Sequence, residues 1–375
     1  MVILHQHINV CDKLICYTKS MNILGYIKEN NKSFYEAPFS EVDALVISWI
    51  AYYDFEPIKE QLPLALERIK DIPYYQKLDP YYCAVLPKIS RKIMKALVFS
   101  NRYKGARILD CFSLMDKQLN VQFAALAVSL DNTIVVAFRG TDLSYVGWKE
   151  DFSMSYKEGI YSYSLATSFL NNIMDKYDEP IILAGHSKGG NICTYLLSKI
   201  EDDSRIKQVY SFDGPGFKTL DLFKDKEERI KKFKKIVPQS SLVGVLFSNE
   251  TEMQIIKSRN VSMLQHNPLE WQIKNDAFIY VKKRTLSSRY LDRAINSWIN
   301  SLDKEQKERF TEIVFGELEK LESKDFKELF FGILKELKPI YKAYRNLEKD
   351  DKKLVFHVMK KLVKNLVKPE KKLIN

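Results

Sequence analysis

The 375-residue sequence contains only five cysteines and five histidines, and both scarcities restrict what it can do. The cysteines are odd in number and scattered, and no histidine accompanies them at a metal-ligand spacing, which argues against a disulfide framework and a zinc site. No run of about 18 apolar residues occurs, and the first residues lack a basic segment followed by a clean hydrophobic stretch. We therefore expect a soluble, cytoplasmic protein. The cysteines, expected to be reduced thiols, are Cys11, Cys16, Cys83, Cys111 and Cys193.

The net charge of +11 is concentrated near the C-terminus. Residues 281–375 carry 24 Lys and Arg against 15 Asp and Glu, a balance of +9, which leaves +2 for the first 280 residues. A basic region can mark an anionic membrane or a nucleic-acid surface, although a plain solvated surface has the same composition. No basic motif interleaved with aromatic residues is present, so we expect no nucleic-acid partner.

The hydrophobic pattern divides the chain into three parts. Residues 1–85 are mostly helical, with a capping-box-like helix start at Ser40 and Asp43. Residues 86–285 alternate strands with helices, which predicts an α/β fold with a largely parallel sheet flanked by helices. Residues 286–375 form a basic helical extension. The predicted strands are 108–114, 123–129, 133–138, 181–184, 208–212, 233–237, 253–257 and 277–282.

The segment Gly185–Asn191 follows an apolar run and contains the pattern G-x-S-x-G, centred on Ser187. In this pattern a strand enters a tight turn before a helix, and small residues on both sides of the serine let the two elements approach. Ser187 would stand at the carboxyl edge of the sheet, where the N–H of Lys188 faces a bound carbonyl. We therefore predict that Ser187 is a nucleophile. The alternative is a glycine-rich turn with an incidental serine.

A serine hydroxyl needs a base that takes its proton, and the base is predicted to be a histidine. His186 neighbours Ser187 in the turn, so we expect it to pack or hydrogen-bond rather than act as the base. His266 lies in a polar loop 79 residues after Ser187 (266 minus 187), in the order of an α/β hydrolase. We predict His266 as the base; the alternative is a loop histidine that merely caps. The other histidines, in the N-terminal segment and on the C-terminal helix, are His5, His7 and His357.

Five sequence blocks stand in the order typical of one bacterial family. The chain resembles the Mbeg-like, lipase-like domains, which are related to class 3 lipases, over roughly residues 25 to 285. This resemblance implies an α/β-hydrolase fold. Residues 135–141 resemble the segment of class 3 lipases in which the residue after FRG forms part of the oxyanion hole, which implies that role for Thr141. Trp148 and Asp151 stand where class 3 lipases carry a tryptophan and an aspartate. The blocks are FRGTD (138–142), GHSKGGN (185–191), FDGPGF (212–217), VPQSSLVG (237–244) and QHNPLEW (265–271).

The acid of the predicted triad departs from the pattern of class 3 lipases. Those lipases carry it in a D-x-V-P context after a later strand, where this chain has Ser240 and Ser241. The replacement we predict is Asp213, after the preceding strand, a position that other α/β hydrolases use. Glu250 and Glu252 are reserves. Asp213 could instead be a turn residue that bonds the backbone of its own loop.

These features predict a lipase- or esterase-like serine hydrolase that cleaves a carboxylic ester through an acyl-enzyme. The expected substrate is an ester of an acyl lipid or of a similarly apolar small molecule. Nothing in the constellation requires a metal or an organic cofactor. The alternative is an α/β-hydrolase-shaped binding or scaffold module with a degenerate triad, which the missing carboxylate at Ser241 supports. The predicted catalytic residues are Ser187, His266 and Asp213, and the predicted oxyanion hole is formed by Thr141 and Lys188.

The last predicted helix is amphipathic and basic. It could lie on an anionic membrane, where each lysine would contribute about 1 kcal/mol. The alternative is that its apolar face packs on a neighbouring helix. The apolar positions are Leu354, Val355, Val358, Leu362 and Leu366, and the basic ones are Lys353, Lys360, Lys361, Lys364 and Lys368.

Overall fold

A computed structural model describes residues 20–72, 87–142, 144–217, 223, 227–247, 252–260, 262–320, 341 and 344–367. The strands are β1 (Leu64–Ala65), β2 (Arg107–Asp116), β3 (Val121–Leu130), β4 (Thr133–Phe138), β5 (Ile181–His186), β6 (Ile206–Phe212), β7 (Phe233–Pro238), β8 (Met253–Ile256), β9 (Ile273–Lys274) and β10 (Ala277–Phe278). The α-helices are α1 (Ile23–Glu29), α2 (Glu41–Ile50), α3 (Pro87–Val98), α4 (Tyr145–Ser153), α5 (Tyr161–Lys176), α6 (Lys188–Lys199), α7 (Glu227–Lys231), α8 (Leu286–Asn300), α9 (Lys304–Glu319) and α10 (Lys349–Val367).

Eight strands form one sheet in chain order, β1 to β8. The pairs from β1 to β4 are antiparallel, and the pairs from β4 to β8 are parallel. Because these strands are parallel, their carboxyl ends meet at one edge of the sheet, where α/β proteins place their sites. This architecture confirms the predicted α/β-hydrolase fold. The division into domains at residues 85 and 285 stays a prediction.

The strand predictions are confirmed with small shifts at their ends, except for residues 277–282, where the prediction holds only in part: Ile279 and Val281 hydrogen-bond the backbone of the β8 end of the sheet through an isolated bridge. That segment does not join the large sheet as a strand. Ala277 and Phe278 pair with β9 in a separate two-stranded sheet, and Tyr280 makes a single bridge to Ile256. A short apolar run has the same periodicity in either place, so only the available hydrogen-bonding partners decide where it pairs.

The sheet is covered on both faces, as its apolar strands require. On β4, Val135 and Ala137 point into one core, which α1, α2 and α3 cover. Val136 and Phe138 point into the other core, which α5 and α6 cover. This alternation follows from the two-residue period of a strand. The two cores hold the sheet edge, and the loops that leave it, in a fixed position.

The N-terminal helices are anchored to the core by a buried charge. Ser40 and Asp43 form the predicted capping box at the start of α2. The Asp43 carboxylate also accepts hydrogen bonds from Arg102, at 2.5 and 2.7 Å, and from the hydroxyl of Tyr103 at 2.8 Å. Both members of the ion pair are buried. Because a buried charge without its partner is costly, this pair locks α2 to the chain that precedes β2.

The apolar face of the last helix packs on neighbouring helices. This packing was the predicted alternative to membrane contact by that face. Val358 is fully buried with Leu302 and Phe310, and Leu354 and Val355 pack against the same cluster. Lys368 lies outside the described residues. Each helix in the described part of the chain is too short or too polar to cross a membrane.

Candidate active site

Ser187 occupies a strained turn between β5 and α6. Its φ of 59° lies in the left-handed region, which a residue with a Cβ rarely adopts and which is common where function demands it. A Cβ on Gly185 would overlap the backbone of Gly189, and a Cβ on Gly189 would overlap the carbonyl oxygen of Phe138. The two glycines therefore permit the close crossing of strand and helix. The strand-turn-helix context predicted for the G-x-S-x-G pattern is confirmed.

The turn places Ser187 at a cavity of about 530 Å³. Ser187 is only 8% exposed, and it lines this cavity together with His266 and Thr141. The volume is within the range of small-molecule sites. Three residues predicted from distant parts of the sequence thus line one cavity.

The structure joins His266 to Asp213. The Nδ1–H of His266 donates a hydrogen bond of 2.7 Å to Oδ2 of Asp213, whose side chain is fully buried. Asp213 directly follows β6, and its φ of 50° turns the chain away at the sheet edge. The other oxygen, Oδ1, accepts hydrogen bonds from the Ser241 hydroxyl at 2.5 Å and from the Gly244 N–H at 3.1 Å. These two hydrogen bonds hold the carboxylate in place behind His266.

The Ser241 hydroxyl contacts Asp213, the predicted acid. In the sequence, a serine at position 241 in place of a carboxylate favoured the degenerate module. Of the two reserves, Glu252 is exposed just before β8, and Glu250 lies outside the described residues. The Asp213 carboxylate accepts hydrogen bonds from His266, Ser241 and Gly244, which lie on later loops. These partners differ from the alternative, in which Asp213 bonds the backbone of its own turn.

His186 is bonded to the loop that carries His266. Its Nε2–H donates to the carbonyl oxygen of His266 at 2.8 Å, and its Nδ1 accepts from the Tyr52 hydroxyl at 2.9 Å. Because a carbonyl can only accept, these bonds define the neutral tautomer. Burial, together with nearby His266, lowers the pKa of His186 well below its ordinary value. His186 is thus a neutral clamp on the loop, in agreement with its predicted hydrogen-bonding role.

The Lys188 side chain is buried beside Gln122 and Glu150. Its ammonium is fully buried and donates to Oε2 of Glu150 at 2.7 Å and to the Gln122 carbonyl oxygen at 2.6 Å. Glu150 also accepts from the Ser162 hydroxyl at 2.6 Å. Sequence reasoning missed this cluster, since nothing in the sequence links positions 122, 150 and 188. The ammonium is committed, so any oxyanion contact of Lys188 must use its backbone N–H.

Thr141 is held by Asp151. The Thr141 hydroxyl donates to Oδ2 of Asp151 at 2.6 Å. Burial raises the pKa of Asp151 to about 6, against the lowering effect of the Lys188 ammonium. A hydroxyl engaged in this way fixes the rotamer of Thr141, which leaves the N–H as its expected oxyanion donor. In the described ranges, no group of three or more His, Cys, Asp or Glu side chains could hold a metal ion.

A serine at a strained turn after a parallel strand, an aspartate after the next strand and a histidine on a later loop define the arrangement of an α/β hydrolase. The chain belongs to the Mbeg1-like family, whose model matches residues 97–316, more than half of its length. No curated protein matches it.

Several solved lipase structures are similar to the chain at low identity. Lipase II from Rhizopus niveus is 16% identical, with 54% of this chain and 74% of the lipase covered and a TM-score of 0.30. Lip2 lipase from Yarrowia lipolytica is 15% identical, with 49% and 76% covered and a TM-score of 0.31. A mutant form of MDLA from Penicillium cyclopium is 12% identical, with 64% and 88% covered and a TM-score of 0.33. At these scores the matches carry no argument about activity.

Proposed function

We propose that this protein is a serine hydrolase that cleaves carboxylic esters through an acyl-enzyme on Ser187. The observation that carries the proposal is the 2.7 Å hydrogen bond between His266 and buried Asp213, at a cavity that Ser187 also lines. A carboxylate bonded to Nδ1 orients the imidazole and stabilises the imidazolium that forms during the reaction.

The proposed chemistry has two steps. Nε2 of His266 takes the proton of Ser187 as Oγ attacks the ester carbonyl carbon, and the backbone N–H groups of Thr141 and Lys188 stabilise the oxyanion. The C–O bond to the alcohol then breaks, and His266 gives its proton to the departing alcohol oxygen. In the second step His266 deprotonates a water that attacks the acyl carbon. The bond from that carbon to Oγ of Ser187 then breaks, and His266 gives its proton to Oγ, which releases the acid and restores the serine hydroxyl.

A fluorophosphonate probe tests the proposal, because such a probe bonds covalently only to an activated serine. The wild-type protein should be labelled at Ser187, and the Ser187→Ala variant should not be labelled. The degenerate binding module predicts no labelling of the folded wild-type protein, and that result would overturn the proposal.

Asp213→Asn is expected to lower kcat by roughly 10^2- to 10^4-fold, because an amide can hold His266 in the wrong tautomer. The control is Glu252→Gln, which makes the same change at an exposed carboxylate. Steady-state hydrolysis of a p-nitrophenyl ester measures both. A silent Asp213 change beside a severe Glu252 change would move the acid to the later loop.

An apolar lipid ester as the substrate and a cytoplasmic location belong to the same proposal. An apolar substrate is supported by the many hydrocarbon side chains that line the cavity. The location is supported by the free thiols of Cys111 and Cys193, since unpaired cysteines are typical of a reducing compartment.

A peripheral contact with an anionic membrane is a further part of the proposal, and a second face of α10 supports it. Beside the packed face runs an apolar stripe whose side chains are 42% to 68% exposed. Exposed lysines flank the stripe on one side, which is the composition of an interfacial helix. The stripe is formed by Phe356, Met359, Val363 and Val367, and the lysines are Lys353, Lys360 and Lys364.

Vesicle sedimentation tests this contact. The protein should bind anionic vesicles but not neutral ones, and added salt should weaken the binding because it screens the lysines. Phe356→Ser combined with Val363→Ser should remove the binding without unfolding the protein, since both side chains are exposed. Equal sedimentation of this variant and the wild type would exclude α10 as the contact.

A further inference from the structure

The cavity at Ser187 is lined mostly by apolar side chains, and one of its walls comes from the C-terminal helices. Side chains of α4, of the loop after β7 and of the α8–α9 pair surround it. Trp298 and Phe310 meet edge to face within this wall, with ring centroids 6.4 Å apart. The apolar lining residues from the C-terminal helices and the turn between them are Ile295, Trp298, Ile299, Leu302 and Phe310.

This wall is fastened to the loop that supports Asp213. The Asn296 side chain on α8 donates to the Val245 carbonyl oxygen at 2.9 Å and accepts from the Phe247 N–H at 2.7 Å. The Ser288 hydroxyl donates to the carbonyl oxygen of Ser241 at 2.6 Å. Helix α9 is held against α4 by an edge-to-face contact between Phe315 and Phe152, at 5.4 Å. The helices are therefore a built part of the site.

We infer that α8 and α9 form the binding wall for one linear acyl chain, and that Ile299 helps to determine the chain length the site accepts. The inference rests on the proposed function and names its substrate class, esters of unbranched fatty acids. The acyl group stays bound to Ser187 through both chemical steps while the alcohol leaves after the first. An apolar wall therefore contributes most to catalysis when it binds the acyl group, because its contacts then act in the transition states of both steps.

Chain length should control activity if this wall binds the acyl group. For p-nitrophenyl esters from acetate to octanoate, kcat/KM should rise roughly fourfold for each methylene that enters the cavity. This factor corresponds to about 0.8 kcal/mol, the free energy gained by burying one methylene. An alkyl acetate series, in which only the alcohol lengthens, should show no comparable rise. A rise confined to the alcohol series would overturn the acyl assignment.

The test variant is Ile299→Trp, which fills the cavity with a larger ring. The ratio of octanoate to acetate kcat/KM should fall at least tenfold. The matched control is Leu286→Trp, which adds the same ring on the same helix at a position 76% exposed and outside the cavity lining, and should leave the ratio unchanged. Equal ratios in the wild type and Ile299→Trp would overturn the inference.

Ile299→Ala guards against a folding defect as the explanation. Removing side-chain volume should shift the preference to longer chains. In Ile299→Ala the ratio of dodecanoate to octanoate kcat/KM should therefore rise, whereas in Ile299→Trp the ratio of octanoate to acetate kcat/KM should fall. A folding defect cannot produce opposite shifts, and equal shifts in one direction would refute the specificity role. Hydrolysis with a flat chain-length profile would sink this inference alone, whereas absence of both hydrolysis and fluorophosphonate labelling would sink the proposed function.

Discussion

Replacement of Ser187 by alanine is expected to abolish ester hydrolysis, with a loss in kcat on the order of 10^4-fold or more, because the members of a triad act as a unit. The fold should survive. Alanine keeps the Cβ that the turn already accommodates at φ 59°, and the removed hydroxyl belongs to a side chain at the cavity surface. p-Nitrophenyl ester turnover measures the loss, and thermal unfolding checks that the variant is folded.

The control is Ser164→Ala, the same change at an exposed serine of α5 whose hydroxyl bonds only locally, to the Tyr161 carbonyl oxygen. It should keep wild-type turnover. If Ser187→Ala retained most of its activity while folded, Ser187 would not be the nucleophile, and the strained turn would need another explanation.

Replacement of His266 by alanine is expected to match the loss at Ser187, since without a base the hydroxyl stays protonated. Its neighbour makes a paired comparison. His186→Ala removes hydrogen bonds to Tyr52 and to the His266 carbonyl, so it should cost on the order of 2 to 4 kcal/mol of unfolding free energy and reduce turnover less.

Urea unfolding and turnover, measured on both histidine variants, separate chemistry from stability. The assignment of the base requires the larger activity loss at His266 and the larger stability loss at His186. The reverse ranking, or equal residual activity in two folded variants, would contradict it. Because the two rings lie with centroids 4.5 Å apart, a wide separation of their effects would be specific to their different partners.

The local parts of the fold were predictable because they depend on short segments. The strand, the tight turn and the helix around Ser187 need only an apolar run, two small residues and a helical pattern, all close together in the chain. The capping box of Ser40 and Asp43 is equally local. Segment 277–282 shows the limit, since its pattern is that of a strand of the large sheet, but Ala277 and Phe278 pair with the adjacent β9 instead.

By itself, the sequence determined the α/β order of the elements and the candidates Ser187 and His266, because chain order and scarcity left few choices. Only the tertiary structure decided that the Asp213 carboxylate meets Nδ1 of His266, with Ser241 behind it. It alone revealed the buried pair of Lys188 and Glu150. The physical reason is that a hydrogen bond between loops depends on how separate strands end at one sheet edge. An amphipathic sequence likewise indicates that one face of a helix will be buried, but it does not say against which element. Only the packing of α8 and α9 in the folded chain turns their side chains into a wall of the cavity.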